Sequence, residues 1–419
     1  MFTFIKDKIK FKLAKIIAPE IDKKLAINQR ISTLEQQDQA LDQKITKLSQ
    51  QMLEISQQLT LIDQKITNIT PFGIAPWYQE NLWEPTVQII LRDLCKPGDI
   101  VFDVGANFAG LTTLMSRMVG PKGVVCAFEA SPRIIDKTQR NLVLSGCNNV
   151  QLFHNAIYHT SGQMVKIYLG DHLNDSIYQE YGEDSAYEVQ TLALDDFIAH
   201  TQLIPNLLKM DIEGAELDAI KGLVHTLKTA KPHLILETQR EDTRCLDFLR
   251  DLGYMAIDLN TYQEVTTVED YPPGANIRNN LYIHRDRYLE TPYQLPFHFQ
   301  EYKVLAAQDF NQQADGSIFL KEPLVFEPGR YIIDVDFTAL GMNNALMCGV
   351  KKGNKVLFQY HAYSHLLAST YRDWIIDLPE TSTITLYFEF QNGTRDESLS
   401  VQGVKVNKIT NIRSSNYIN

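Results

Sequence analysis

Two acidic residues close apolar runs in a way that suits a nucleoside ligand. Asp103 lies in Val101-Phe102-Asp103-Val104-Gly105-Ala106-Asn107, and Glu129 follows Val124-Val125-Cys126-Ala127-Phe128. The first stretch reads as a buried strand that turns tightly at Gly105 into a helix over Leu111 to Val119. Open α/β sheets hold nucleotide-like ligands at that kind of turn. An acid at the tip of the second strand can accept hydrogen bonds from ribose hydroxyls. The turn itself reads Gly105-Ala106-Asn107-Phe108-Ala109-Gly110 and lacks the glycine spacing that admits a pyrophosphate. A ribose-bearing cofactor without phosphates fits better, S-adenosylmethionine being the common one, its amino-acid end held by the turn's backbone groups.

A second charged group follows at Lys209-Met210-Asp211-Ile212-Glu213. Alternation turns Lys209, Asp211 and Glu213 one way and Met210 and Ile212 into the core. Asp211 stands at a strand's carboxyl end, where such sheets place their chemistry. A carboxylate there can take or position the proton of a hydroxyl. Asp211 is the first choice for that role, with Glu213 and Glu237 second and Lys209 as a neutralising neighbour. The plain alternative gives Glu213 to capping a Gly214–Leu223 helix and Lys209 to neutralising Asp211. A minority reading has Asp211, Glu213 and Glu237 hold Mg²⁺. His154, His159 and His172 lack metal-ligand spacing.

These blocks together resemble the FkbM-type methyltransferase family. The resemblance rests on Asp-Val-Gly-Ala-Asn, then Ala-Phe-Glu with Ser131-Pro132, Asn155-Ala156, Leu194-Asp195-Asp196, Lys209-Met210-Asp211-Ile212-Glu213-Gly214-Ala215-Glu216 and Leu236-Glu237, in family order from about Trp83 to His284. It implies a class I methyltransferase (Rossmann-like) α/β fold, S-adenosylmethionine as methyl donor and, usually, a hydroxyl acceptor. Asp103, Gly105, Ala106, Asn107 and Phe108 would meet the cofactor's methionine end, Glu129 and Ala130 its ribose, and Asn155 and Ala156 its adenine, with Asp211 beside the methyl group. An alternative for Asp103 is capping the next helix, and for Asn155 an ordinary turn. Two departures stand out. Ala109 replaces a frequent glycine, which would narrow the turn, and Ala130 replaces the usual proline.

The elements that carry these residues form one part of a longer chain. Its 419 residues exceed what one core usually supports. Residues 1–26 read as a basic amphipathic helix: Phe2, Ile5, Ile9, Leu13, Ile16 and Ile17 among Lys6, Lys8, Lys10, Lys12 and Lys15. Such a helix can lie on an anionic membrane surface through residues 1–17 or pack on a partner chain. Residues 27–70 read as a coiled coil. Ile27, Leu34, Leu41, Leu48, Ile55, Ile62 and Ile69 share one heptad position, and Ile31, Ile45, Met52, Leu59 and Ile66 the other, with Asp38 intruding. The rod would measure about 65 Å and bury its stripe in a homo-oligomer, trimer favoured over dimer.

Residues 71–287 read as the methyltransferase domain, a mostly parallel sheet with helices on both faces and an insertion between Ala156 and Asp195 holding a hairpin-like piece at Val165–Leu169. Residues 288–419 read as a β-sandwich or jelly roll from alternation in Tyr331, Ile333, Val335, Phe337 and in Ile384, Leu386, Phe388, Phe390. The cluster Tyr360, His361, Tyr363, His365, Tyr371 and Trp374 suits stacking on sugars, or plain packing, which is favoured for Trp374.

Net charge is −11, which argues against a nucleic-acid partner. Five scattered cysteines fit reduced thiols in the cytoplasm. The expected function is O-methyl transfer to a glycan or lipid-linked polysaccharide at the inner membrane face. The alternatives are a small secondary metabolite as acceptor, or a non-catalytic scaffold of degenerate methyltransferase fold.

Overall fold

The computed structural model describes residues 84–168, 175–177, 186–239, 241–271, 277–314, 316–340, 346–362, 373–390 and 398–412, with a few single positions before residue 31. The chain divides into two compact units, Met1–Phe72 and Gly73–Asn419. In the first, the heptad positions lie outside the described residues. So do Tyr363, His365 and Tyr371 in the second.

Its centre is an eight-stranded sheet. Strands β1 (Ile100–Val104), β2 (Val124–Phe128) and β3 (Val150–Phe153) run parallel. Strands β4 (Ala156–Ile157), β5 (Met164–Tyr168) and β6 (Ala186–Leu192) form a separate small sheet. The main sheet continues with β7 (Leu207–Met210), β8 (His233–Gln239), β9 (Tyr254–Asp258), β10 (Gln263–Val265) and β11 (Ile277–His284), in the order β10-β9-β11-β8-β7-β1-β2-β3. Pairing is parallel from β3 to β8 and antiparallel beyond it. The parallel character expected from sequence therefore stops at β8.

Both faces are covered, so the central parallel strands are mostly apolar, with Asp103 in β1 and Lys209 in β7 as buried exceptions. Val101, Val125, Leu207 and Ile235 pack toward helices α1 (Pro85–Leu94) and α2 (Gly110–Val119). Their neighbours Phe102, Cys126, Leu208 and Leu234 pack on the other face with Phe197, Ile220 and Leu249. Pro85 opens α1 at a position where its missing N–H costs nothing. The chain order reverses between β1 and β7, which makes the crevice beyond their carboxyl ends the topological switch point.

Beyond residue 290 ten strands follow: β12 (Phe299–Ala306), β13 (Phe310–Gln312), β14 (Ile318–Leu320), β15 (Leu324–Phe326), β16 (Gly329–Leu340), β17 (Leu346–Lys352), β18 (Lys355–Ala362), β19 (Asp373–Leu378), β20 (Ser382–Phe390) and β21 (Ser398–Ile409). They make two antiparallel sheets, β12-β21-β16-β19 and β13-β14-β20-β17-β18, with β15 on β20. One core joins both, with Tyr331, Ile333, Val335 and Trp374 from one sheet and Cys348, Ile384, Leu386 and Phe388 from the other. The intervening Ile332 is not solvent-facing. With Ile375 and Ile409 it packs in the cluster that holds Ile90, Leu94 and Tyr262. A buried Arg330 guanidinium bridges Asp93 of α1, at 2.7 and 3.0 Å, and Asp377, at 2.7 Å. The Tyr293 hydroxyl donates to the same Asp93 at 2.9 Å.

Among the described residues no helix is long and apolar enough to cross a membrane. Cys95, Cys126, Cys245 and Cys348 are buried free thiols.

Candidate active site

The turn after β1 is shaped by close approach. Gly105 has φ +82°, and a β-carbon on it would lie 1.8 Å from the Asp211 carbonyl oxygen, so only glycine fits. Its N–H and that of Ala106 donate to the Phe128 carbonyl at 2.9 and 3.0 Å, drawing the end of β2 alongside. Asn107 and Ala109 also have positive φ, 48° and 66°. Asparagine tolerates this; alanine does so at a cost of about 1–2 kcal/mol. The Ala109 side chain is buried and does not line the crevice. Its methyl therefore strains the backbone of the turn and lies outside the cavity.

Glu129 ends β2 and is only 7% exposed. Its two oxygens accept from Asn107 N–H and Ser131 N–H, both at 2.7 Å. Each oxygen keeps further acceptor capacity. Burial pushes its pKa up to about 7, against those two hydrogen bonds, with Asp175 and Asp103 adding to the rise. Asp175 is a residue that sequence reasoning missed. Its side chain accepts from Ser131 Oγ at 2.5 Å and Arg133 Nε at 2.9 Å. Next to it, Ser176 Oγ donates to the Glu213 carbonyl at 2.8 Å. Residues 175–177 thus span from the loop after β2 to the loop after β7. These contacts join residues some 40 positions apart, and no local pattern announces them.

The loop after β7 departs from the expected alternation. Lys209 is buried, with Nζ 3.3 Å from Asp211 Oδ2, so these two do meet. The strand then ends at Met210, and Glu213 takes φ 55°. The following helix runs Glu216–Lys221, not Gly214–Leu223. Glu216, rather than Glu213, ties the loop down, accepting from Ile212 N–H at 2.9 Å and Gly214 N–H at 3.3 Å. Burial holds the Glu216 pKa up to about 7.

Behind Asp211 lies a polar cluster. Carboxylate oxygens of Glu84, Asp211 and Glu237 lie within 4.8 Å of one another. Asn279 Nδ2 donates to Glu84 at 3.4 Å and Glu237 at 3.2 Å. Burial lifts the pKa of Glu84, with Lys209 opposing it. Burial, Asp211 and Glu84 lift that of Glu237 well above the ordinary range. Burial disfavours the Lys209 ammonium, but Asp211, Glu84, Asp103 and Glu237 outweigh this and hold its pKa above the usual lysine value. Glu84 precedes α1 and carried no signal in the sequence.

One crevice gathers most of the residues expected to hold a cofactor. Gly105, Asn107, Glu129, Ala130, Asn155, Ala156, Asp211 and Glu213 line it, joined by Ser131, Asp175 and a set of isoleucines. Asn155 also donates to the Gln190 carbonyl at 3.2 Å. The space, counted out through its open mouth with the solvent there included, is about 690 Å³.

Five expected site residues stand outside the lining. Asp103 is buried behind the turn, accepting from Thr112 Oγ1 of α2 at 2.5 Å and opposite Lys209 in the sheet. Asp103 thus ties α2 down through the Thr112 side chain and does not cap it, since Ala109 stands at the N-cap. Ala106 is buried. Phe108 offers its carbonyl to Asn141 at 2.9 Å. Lys209 and Glu237 back Asp211 without reaching the cavity.

Residues 103–255 match the sequence model of the methyltransferase FkbM domain. Methyltransferase 1 of Beauveria bassiana (strain ARSEF 2860) is 27% identical over 144 residues, 29% of this chain and 57% of that protein. The chain thus spans little more than half of that relative's length. Among solved structures, methyltransferase FkbM from Methylobacillus flagellatus KT shares 15% identity at a TM-score of 0.32, covering 53% of this chain and 60% of that one. Precorrin-6y C5,15-methyltransferase from Geobacter metallireducens GS-15 shares 16% identity at a TM-score of 0.31, covering 49% and 90%. The glycine cradle at Gly105 and the buried carboxylate of Glu129 fit an adenosyl cofactor. Residues 103–255 are a methyltransferase domain of the FkbM type, with S-adenosylmethionine as its cofactor.

Proposed function

We propose that this domain transfers a methyl group to a hydroxyl oxygen, and that the acceptor is a glycan. The observation that carries the reading is that Glu129 and Asp211, from the ends of two different strands, face one crevice at the switch point. Bound S-adenosylmethionine supplies an activated methyl group. Glu129 accepts from ribose hydroxyls, the Gly105–Asn107 turn meets the methionine end, and Asn155 and Ala156 border the adenine. Asp211 holds the acceptor hydroxyl and takes its proton, and Lys209 fixes the Asp211 side chain. The Lys209 ammonium balances Asp211 among the carboxylates of this cluster, and no step depends on Mg²⁺.

Three further assignments complete the reading. Residues 27–70 form a homo-oligomeric coiled coil, trimeric in our reading, and residues 1–17 touch an anionic membrane on its cytoplasmic side. Residues 288–419 form a β-sandwich that holds the glycan, and a lipid-linked polysaccharide fits this layout. Light scattering of a chain lacking residues 1–70 tests the stalk, since a trimer persisting without them would remove it.

The activity test is transfer of labelled methyl from S-adenosylmethionine to oligosaccharides, with the product bond identified by mass spectrometry. A methyl ether is expected. Asp211→Asn should bind the cofactor within about threefold of wild type and turn over about 10²-fold slower or worse. Methylation at nitrogen or carbon, or unchanged turnover in Asp211→Asn, would contradict the assignment.

A further inference from the structure

We infer that Thr138 and Asn141 are positioning residues for the cofactor: from one face of a helix they fix the turn after β1, so that its Asn107 N–H stays aimed at Glu129. This rests on the reading of Glu129 as the ribose-binding acid and deepens it.

Both residues belong to α3 (Ile135–Leu144), whose buried residues are Thr138, Asn141 and Leu142. An amphipathic helix ordinarily turns aliphatic side chains inward. A buried polar group costs stability unless it is hydrogen-bonded, so a threonine and an asparagine on this inner face need partners. Residues three apart share a helix face, and these two side chains reach the same place. Thr138 Oγ1 donates to the Asn107 carbonyl, with the Ile134 carbonyl as a second acceptor at 3.1 Å. Asn141 Nδ2 donates to the Phe108 carbonyl at 2.9 Å. Two consecutive carbonyls of the turn are therefore held from one helix.

The turn they grip is one the chain does not adopt by preference. Asn107 and Ala109 sit at left-handed φ, 48° and 66°, which L side chains disfavour and which persists where the surroundings over-determine it. Its N–H at Asn107 meets Glu129 Oε2 at 2.7 Å, and the Ser131 N–H meets Oε1 at 2.7 Å. These two donors orient the carboxylate and leave its other lone pairs for a ligand in the crevice it lines. Released from Thr138 and Asn141, the turn relaxes toward ordinary backbone angles and Oε2 loses its donor in a buried place. The grip on the ribose then weakens, although neither α3 residue lines the crevice.

Calorimetry of the full chain with S-adenosylmethionine tests this. Thr138→Val keeps the side-chain shape and loses the hydroxyl, and binding about fivefold weaker or worse is expected. Thr138→Ser restores the donor and should bind within about twofold of wild type. The deciding comparison places Thr138→Val in a Glu129→Ala background. Because Thr138 acts through Glu129, its further effect there should be less than about twofold. A side chain that merely supports the fold would weaken binding by the same factor in both backgrounds. Asn141→Leu, similar in size and without a donor, repeats the cycle should Thr138→Val not fold. Normal binding by Thr138→Val and Asn141→Leu, equal factors in the two backgrounds, or a Thr138→Ser as weak as Thr138→Val would overturn the inference and leave the cofactor reading intact. A wild type that takes up no S-adenosylmethionine would remove that reading, and this inference with it.

Discussion

Gly105 and Asp211 touch backbone to backbone: a β-carbon on the glycine would sit 1.8 Å from the aspartate's carbonyl oxygen. The turn that cradles the cofactor and the loop that carries the proposed proton acceptor are therefore one packed unit across β1 and β7. Movement in either is felt by the other.

Gly105→Ala should disturb both at once. The left-handed φ alone costs an alanine about 1–2 kcal/mol, and the overlap with Asp211 adds to that. We expect a lower urea midpoint together with loss of S-adenosylmethionine binding. A variant that bound the cofactor normally would show that the contact is dispensable.

Glu129 gives a pH signature. Its carboxyl titrates near 4.5 when unfolded and at about 7 in the folded protein. The folded state keeps a proton that the unfolded chain has lost, so its stabilising contribution is complete below about 4.5, declines as pH rises and is gone above about 7. The span corresponds to about 3 kcal/mol. Glu129→Gln cannot titrate, so its stability relative to wild type should improve between pH 5 and pH 8. Denaturant midpoints at the two pH values check this, and a difference that stays constant would contradict it.

Asp93 anchors the two-sheet unit through Arg330 and Tyr293. Asp93→Ala would leave the buried Arg330 guanidinium with Asp377 alone and the Tyr293 hydroxyl without its acceptor, so a loss below the roughly 3–5 kcal/mol of a fully unpaired buried charge is expected. Adding Arg330→Met should recover part of that loss, because the under-paired buried charge disappears while Asp377, nearer the surface, loses its partner. Chemical denaturation of the single and double variants decides it; equal destabilisation in both would show that the pair does not fasten the sheets to α1.

Much of this arrangement was legible in the residues. Strands β1, β2 and β7 fall on largely apolar runs because strands buried on both faces admit little else, and β3, half-buried at the sheet edge, follows the same short apolar pattern. Glu129 and Asp211 were legible for the same reason, as charges at the tips of such runs. The partners that complete the site were not. Asp175 reaches Ser131 from an insertion 44 residues downstream, and Glu84 reaches Asn279 across 195 residues. Only tertiary folding creates those contacts. Asp103, Ala106 and Phe108 sit in the right motif but on its inner side, since a tight turn shows the ligand only some of its residues. Ile332, between the alternating Tyr331 and Ile333, packs in the cluster that holds Ile90 and Leu94 of α1, a contact that only tertiary folding creates.

The account stands or falls on whether the crevice binds its cofactor through the acid at the end of β2. Isothermal titration of the full chain with S-adenosylmethionine, alongside Glu129→Ala, addresses this directly. Saturable one-site binding by the wild type and an affinity at least tenfold weaker in the variant are predicted. A wild type that takes up no S-adenosylmethionine, or a variant that binds it equally well, would contradict the central claim.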